Sequence, residues 1–176
     1  MSIWEPVNLR QWIEEHREEL KPPVGNKMVW RDERETIIMI VGGPNARKDY
    51  HVNATEEFFY QVHGDMVLRI LHPDTGEPHD IEIREGEIYL LPAHVPHSPQ
   101  RGPNTVGLVV ELKRPQGVKD KLQWYSEDTH ELVHEAEFTL ENVEKDLKRI
   151  MEEFWSNEAL RTNKSTGSVI QPPDPV

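Results

Sequence analysis

Two stretches of the chain collect side chains able to bind a metal or move a proton. The first, GGPNARKDYHVNATEEFFYQVHG, holds His51, Asn53, Glu57 and Gly64; the second, GEIYLLPAHVPHSPQR, holds Gly86, Pro92 and His97. Two imidazoles and one carboxylate suit a facial triad on octahedral Fe(II), which leaves open positions for a substrate and O2 together. A redox metal answers the central difficulty of oxygenation, because dioxygen is a triplet, organic rings are singlets and their direct reaction is spin-forbidden. Glu56 adjoins Glu57, but strand alternation sends neighbouring side chains to opposite faces, so one of the two can reach a shared ion. His94 is the alternative to His97, and His51 taken alone reads as an ordinary loop histidine. His63, His72 and His79 lie beside turn residues and read as solvated; His130 and His134 sit in an acidic stretch and read as surface.

The elements that must position these groups follow from periodicity. Asn8, with Gln11 at the capping-box position, opens an expected helix whose stripe is Leu9, Trp12, Ile13, His16 and Leu20, ended by Pro22-Pro23. From residue 28 to about 134 short β-rich runs succeed one another: MVW, TIIMIV, EFFYQV, MVLRIL, IEIR, EIYLLP, TVGLVVEL and LQWY. Turn signals such as GGPN, HGD, HPDTGEP and REGE separate them, which predicts an antiparallel sandwich or barrel. Met28, Met39 and Met66 read as strand core, and Trp12 and Trp155 as core or interface. Leu140, Val143, Leu147, Ile150 and Phe154 then recur at helical spacing and predict an amphipathic helix packed on the barrel. The organisation expected is a single domain over 1–160, with a loosely ordered tail over 161–176.

Composition narrows the classes. The 176 residues fit one core, and the absence of cysteine excludes disulfides, zinc–thiolate sites, iron–sulfur clusters and thiol nucleophiles. A net charge of -12 would repel nucleic acid at long range, although a pocket can reverse the field locally for an anionic metabolite. No apolar run approaches the roughly 18–20 residues that span a bilayer, and the acidic N-terminus lacks the pattern of a signal peptide. These features point to a cytoplasmic protein without a membrane or nucleic-acid partner.

The two stretches resemble the two cupin motifs. His51-x-Asn53, Glu57 and Gly64 match the first, with Asn53 where many cupins carry a further histidine; Gly86, Pro92 and His97 match the second, with His94 in place of its glycine. More specifically, IVGGPNARKDYHVNATEEFFYQVHGDMVLRI, IREGEIYLLPAHVPHSPQR and TVGLVVE are similar to the family of 3-hydroxyanthranilate 3,4-dioxygenases, from about Ile38 to Glu111 and more weakly beyond. That resemblance implies an all-β cupin (jelly-roll) barrel with flanking N- and C-terminal helices. It implies one Fe(II) per chain on His51, Glu57 and His97, with a small aromatic acid and O2 as partners. It implies Arg47 and Arg101 as substrate-binding arginines, Arg47 also as a catalytic-site residue, and Glu111 as a catalytic proton carrier touching the ring amino group. Extradiol-type cleavage would give 2-amino-3-carboxymuconate semialdehyde, which closes to quinolinate in tryptophan breakdown through kynurenine and in NAD synthesis. A homodimer is a further expectation. Some relatives hold a second, rubredoxin-like iron on two C-x-x-C pairs; Ser126, Thr129, Asn163 and Thr166 stand at the matching positions, so that site is expected to be absent. The rival readings are a cupin enzyme acting on another small acid and a non-catalytic ligand-binding cupin.

Overall fold

The computed structural model describes residues 5–21, 25–30 and 35–173; the expected helix stop at Pro22-Pro23 lies outside them. Asn8 caps α1 (Leu9–Glu15), its side chain accepting from the Gln11 amide, and a 3-10 turn follows over Arg17–Leu20. Eleven strands then follow among the described residues: β1 (Asn26–Met28), β2 (Thr36–Gly42), β3 (Asp49–Val52), β4 (Glu57–His63), β5 (Met66–Leu71), β6 (Pro78–Ile83), β7 (Ile88–Leu91), β8 (His97–Arg101), β9 (Val106–Leu112), β10 (Asp120–Tyr125) and β11 (Leu132–Phe138). The chain ends in α2 (Asp146–Ser156) and α3 (Glu158–Arg161).

The strands form two antiparallel sheets, ordered β1-β2-β9-β4-β7 and β11-β10-β3-β8-β5-β6. This is the all-β cupin fold with flanking helices. Alternation sorts the side chains: Glu57, Phe59 and Gln61 of β4 are buried, whereas Phe58, Tyr60 and Val62 are half-buried on the other face. The main core lies between the sheets, where Met39, Phe59 and Val109 from one meet Met66, Leu68 and Ile70 from the other. A second core packs Leu122, Trp124 and Phe138 against Ile150 and Phe154 of α2, with Trp124 and Phe154 stacked at 4.0 Å. A third lays Trp12 and Leu20 over Ile40 on the outer face of β2.

Three departures from the periodicity have local causes. β3 (DYHV), β8 (HSPQR) and β11 (LVHEAEF) are strands although none reads as an apolar run. Leu140 and Val143 precede α2 rather than belonging to it. The Asp146 carboxylate accepts from the backbone amides of Glu141 (2.9 Å) and Asn142 (2.7 Å), closing a turn that keeps helical spacing without helical backbone. The segment read as a loosely ordered tail includes a bridge between Thr162 and Val169 and a buried Ile170 in the second core. His134 is half-buried rather than surface, stacked on Phe154 at 5.7 Å.

Pro99 shows how a strand can break its ladder usefully. β8 pairs with β3 only at His51↔His97, and Arg101 exchanges backbone hydrogen bonds with Asn45 further along. Pro99, two residues from each, faces the same side, where no ladder bond is made and its missing N–H costs nothing. The Gln100 side chain fills the gap instead, donating to the Arg47 carbonyl (2.9 Å) and accepting from the Arg47 amide (3.2 Å). The parting of β3 from β8 opens a cavity of about 350 Å³, whose lining includes Arg47, His51, Glu57, His97, Arg101 and Glu111.

Candidate metal centre

His51 on β3 and His97 on β8 are directly opposed in one sheet, with ring centroids 5.3 Å apart. Glu57 reaches them from β4 of the facing sheet, its Oε2 lying 3.0 Å from His97 Nε2. One donor atom from each of His51, Glu57 and His97 lies within 4.8 Å of the other two, and all three residues are buried. Two nitrogens and one carboxylate oxygen, desolvated and convergent, fit a divalent transition metal. Glu56 is exposed and so is His94, so neither competes. His94 instead occupies a left-handed turn at φ 65°, where the motif carries glycine.

Around this triad runs a polar network that motif reading did not reveal. Asn53 stands two residues after His51 on the same inward face; its amide donates to Glu57 (3.2 Å) and to Glu111 (3.3 Å). Glu111 on β9 is the register partner of Glu57, so two buried carboxylates lie side by side. Arg114 answers that repulsion, its Nη2 donating to Glu111 at 2.6 Å and to Asp120 at 2.7 Å, while Asp120 lies 2.8 Å from His51 Nε2. Val95 contributes its carbonyl, 3.0 Å from His97 Nδ1. Neither Arg114 nor Asp120 belongs to a motif. Pro115 and Gly117 between them read as a surface loop, and the one available signal was the parity of Asp120 with Leu122 and Trp124 along β10.

The charges respond to burial and to each other. Burial opposes ionisation of Glu57, but the attraction of His97, with its hydrogen bond, and of His51 and Arg114 outweighs it and holds the carboxyl down at about 2. Glu111 moves the opposite way, to about 7, because burial and the neighbouring Glu57 charge outweigh Arg114. Burial lowers His51, against the opposing pull of Asp120; burial would lower His97 too, but Glu57 raises it.

The two arginines differ. Arg47 is tied to Asp49 by an ion pair and lines the cavity at its mouth. Arg101 is 4% exposed and its Nε has no hydrogen-bond partner, so burial lowers its pKa to about 10. Gly107 makes room for it, since a β-carbon there would stand 3.1 Å from Arg101 Nη2 and 2.8 Å from Gln61 Oε1. The structure therefore brings together all six residues singled out from the sequence, His51, Glu57, His97, Arg47, Arg101 and Glu111, in one cavity lining.

Comparison with known proteins agrees with this geometry. Residues 1–155 match the sequence family described as 3-hydroxyanthranilic acid dioxygenase. A 3-hydroxyanthranilate 3,4-dioxygenase of Brucella anthropi is 49% identical over 163 residues, covering 92% of this chain and 89% of that protein. One from a Jannaschia species is 49% identical over 170 residues (96% and 93% covered), and one from Xanthomonas campestris pv. campestris is 48% identical over 169 residues (96% and 94%).

Proposed function

The chain belongs to the 3-hydroxyanthranilic acid dioxygenase family, and on that premise we propose that it cleaves the ring of 3-hydroxyanthranilate with O2 to 2-amino-3-carboxymuconate semialdehyde. The observation that carries the reading is the placement of a buried His51–Glu57–His97 triad beside a guanidinium, Arg101, that is desolvated and incompletely paired. His51, Glu57 and His97 would hold Fe(II), which supplies open coordination positions where an aminophenol and O2 meet and an electron path between them.

The chain's own residues do the rest. Arg101 offers a planar fork to the substrate carboxylate, and removing that carboxylate from water costs less because the cation facing it is already desolvated. Arg47, held by Asp49 and the Gln100 side chain, bounds the carboxylate end at the cavity mouth. Glu111, with its carboxyl raised to about 7, is poised to take a proton from the ring hydroxyl or amino group and to return it near neutral pH. The hydrophobic lining from Phe59, Val109 and Met39 suits the ring faces.

Two features support finer readings. Ile88, Leu90 and Leu112 are large, exposed and on the outer face of adjoining strands β7, β4 and β9, next to half-buried Phe58 and Val110, which favours a homodimer. Among the described residues no helix is long and apolar enough to cross a membrane, and with a cysteine-free chain this favours the cytoplasm. The reaction would serve tryptophan breakdown through kynurenine and the supply of quinolinate for NAD synthesis.

The test is oxygen uptake by the Fe(II)-loaded protein. Adding 3-hydroxyanthranilate should consume one O2 for each ring opened, with the acyclic product identified by mass spectrometry; no uptake with that substrate rejects the reading.

A further inference from the structure

We propose that Asp120 and Arg114 are positioning residues of the metal centre, which orient the His51 ring and tie it mechanically to the carboxylate of Glu111. The proposal rests on the metal-site part of the reading above.

Asp120 is fully buried, and so is most of Arg114. An isolated carboxylate at that depth would be too costly to keep charged. The fork of Arg114 makes it tenable, with Nε on Oδ1 at 2.7 Å and Nη2 on Oδ2 at 2.7 Å. The same Oδ2 lies 2.8 Å from His51 Nε2. One oxygen thus faces both the guanidinium and the imidazole, and the ring of His51 cannot turn without breaking a charge-assisted contact. The remaining Arg114 donors are spoken for as well: Nη1 bonds the Leu112 carbonyl at 2.6 Å, and Nη2 also bonds Glu111 Oε2 at 2.6 Å.

The backbone explains why these two residues meet. Leu122 of β10 is the register partner of His51, so Asp120, two positions earlier, shares its face and sits on the diagonal. The turn through Gly117, at φ 81°, folds the segment after β9 back so that Arg114 lies over Asp120. A chain of side chains then closes on itself, from His51 through Asp120, Arg114, Glu111 and Asn53 to Glu57. A ligand from each sheet is thereby held by one network. Partners of this kind fix ring orientation and donor strength, and their loss costs roughly 10–100-fold in metal affinity.

Co(II) is the probe, because its visible bands report ligand geometry independently of turnover. Apo protein is titrated with Co(II) against a competing chelator, and far-UV circular dichroism is recorded for each variant. Asp120→Asn is expected to bind Co(II) about 10–100-fold more weakly and to shift the visible bands while keeping the wild-type dichroism. Should Asp120→Asn not fold, Asp120→Glu retains the charge for Arg114 and displaces the oxygen from His51; it is expected to move affinity and bands in the same sense. Arg114→Lys, which keeps the cation but not the two-pronged grip, is expected to shift the bands by less. Folded Asp120 variants with wild-type affinity and spectrum overturn the proposal and leave the substrate reading intact. Wild-type protein that binds Co(II) but does not open 3-hydroxyanthranilate when iron-loaded sinks the substrate reading and leaves this one standing.

Discussion

Two polar clusters in this molecule gather side chains from distant parts of the chain, and they are built on opposite principles. At the metal centre, residues from both sheets meet in a buried site, and almost every group is charged. At the C-terminal clasp, Thr129 (3.1 Å), Asn163 (3.1 Å) and Ser165 (2.6 Å) donate to the exposed carboxylate of Glu131, and the Thr129 amide donates to Ser126. Ser126, Thr129, Asn163 and Thr166 stand where some family members carry cysteines, and here they offer hydroxyls and an amide. In the buried cluster no water competes, so each charge needs its partner and the set is all-or-none. In the exposed cluster water replaces any lost contact, so each bond is worth about 1 kcal/mol and can be lost singly.

The contrast is broken or sharpened most strongly by His51→Ala. Two ligands hold a ferrous ion poorly, so metal content measured by mass spectrometry should drop from stoichiometric to trace, and ring opening with it. Wild-type metal content in this variant would remove the triad. Next in size is Arg101→Ala, which deletes a charge-assisted contact of about 1.5–3 kcal/mol; kcat/KM should fall roughly 10–100-fold while bound metal is unchanged. Steady-state kinetics with metal analysis on the same sample decide it, and equal loss of metal and activity would move Arg101 from substrate to ligand support.

At the clasp the effects shrink. Asn163→Ala should lower unfolding stability by about 1 kcal/mol, read by urea titration, with kcat/KM and metal content at wild-type values. A large catalytic loss there would mean that the two clusters are coupled. Smallest is a pH effect at Glu131, whose carboxyl is held below the usual range by hydrogen bonds from Ser165, Asn163 and Thr129. A depressed folded-state pKa means that its stabilisation is present above the unfolded value of about 4.3 and is lost as pH falls through the lower folded value. The melting-temperature advantage of wild type over Glu131→Gln should therefore be visible at neutral pH and vanish in acid; an advantage that grows in acid contradicts the assignment.

Legibility in the sequence followed the same divide between apolar and polar demands. The strands that line the main core, such as EFFYQV and TVGLVVEL, announce themselves because burial on a pleated sheet imprints a period of two. β3 and β8 carry the ligands and for that reason do not look like strands: Asp49, His51, His97 and Arg101 occupy the inward positions that apolar residues fill elsewhere. Motif spacing identified those side chains while the elements holding them went unread. The helix stripe of Leu140 and Val143 misled because a side-chain-closed turn shares helical spacing.

The sequence alone determined which chemistry was available, because residue types and local spacing are written in the chain: two imidazoles, a carboxylate, two arginines and no thiol. It also determined that the core would be β, since alternation is a local property. Only the tertiary structure decided which charges neutralise which. The Asp120–Arg114 link, the Glu57–Glu111 juxtaposition and the space that Gly107 leaves for Arg101 depend on the register between strands far apart in the chain. Register is a collective outcome of packing, and no local pattern encodes it.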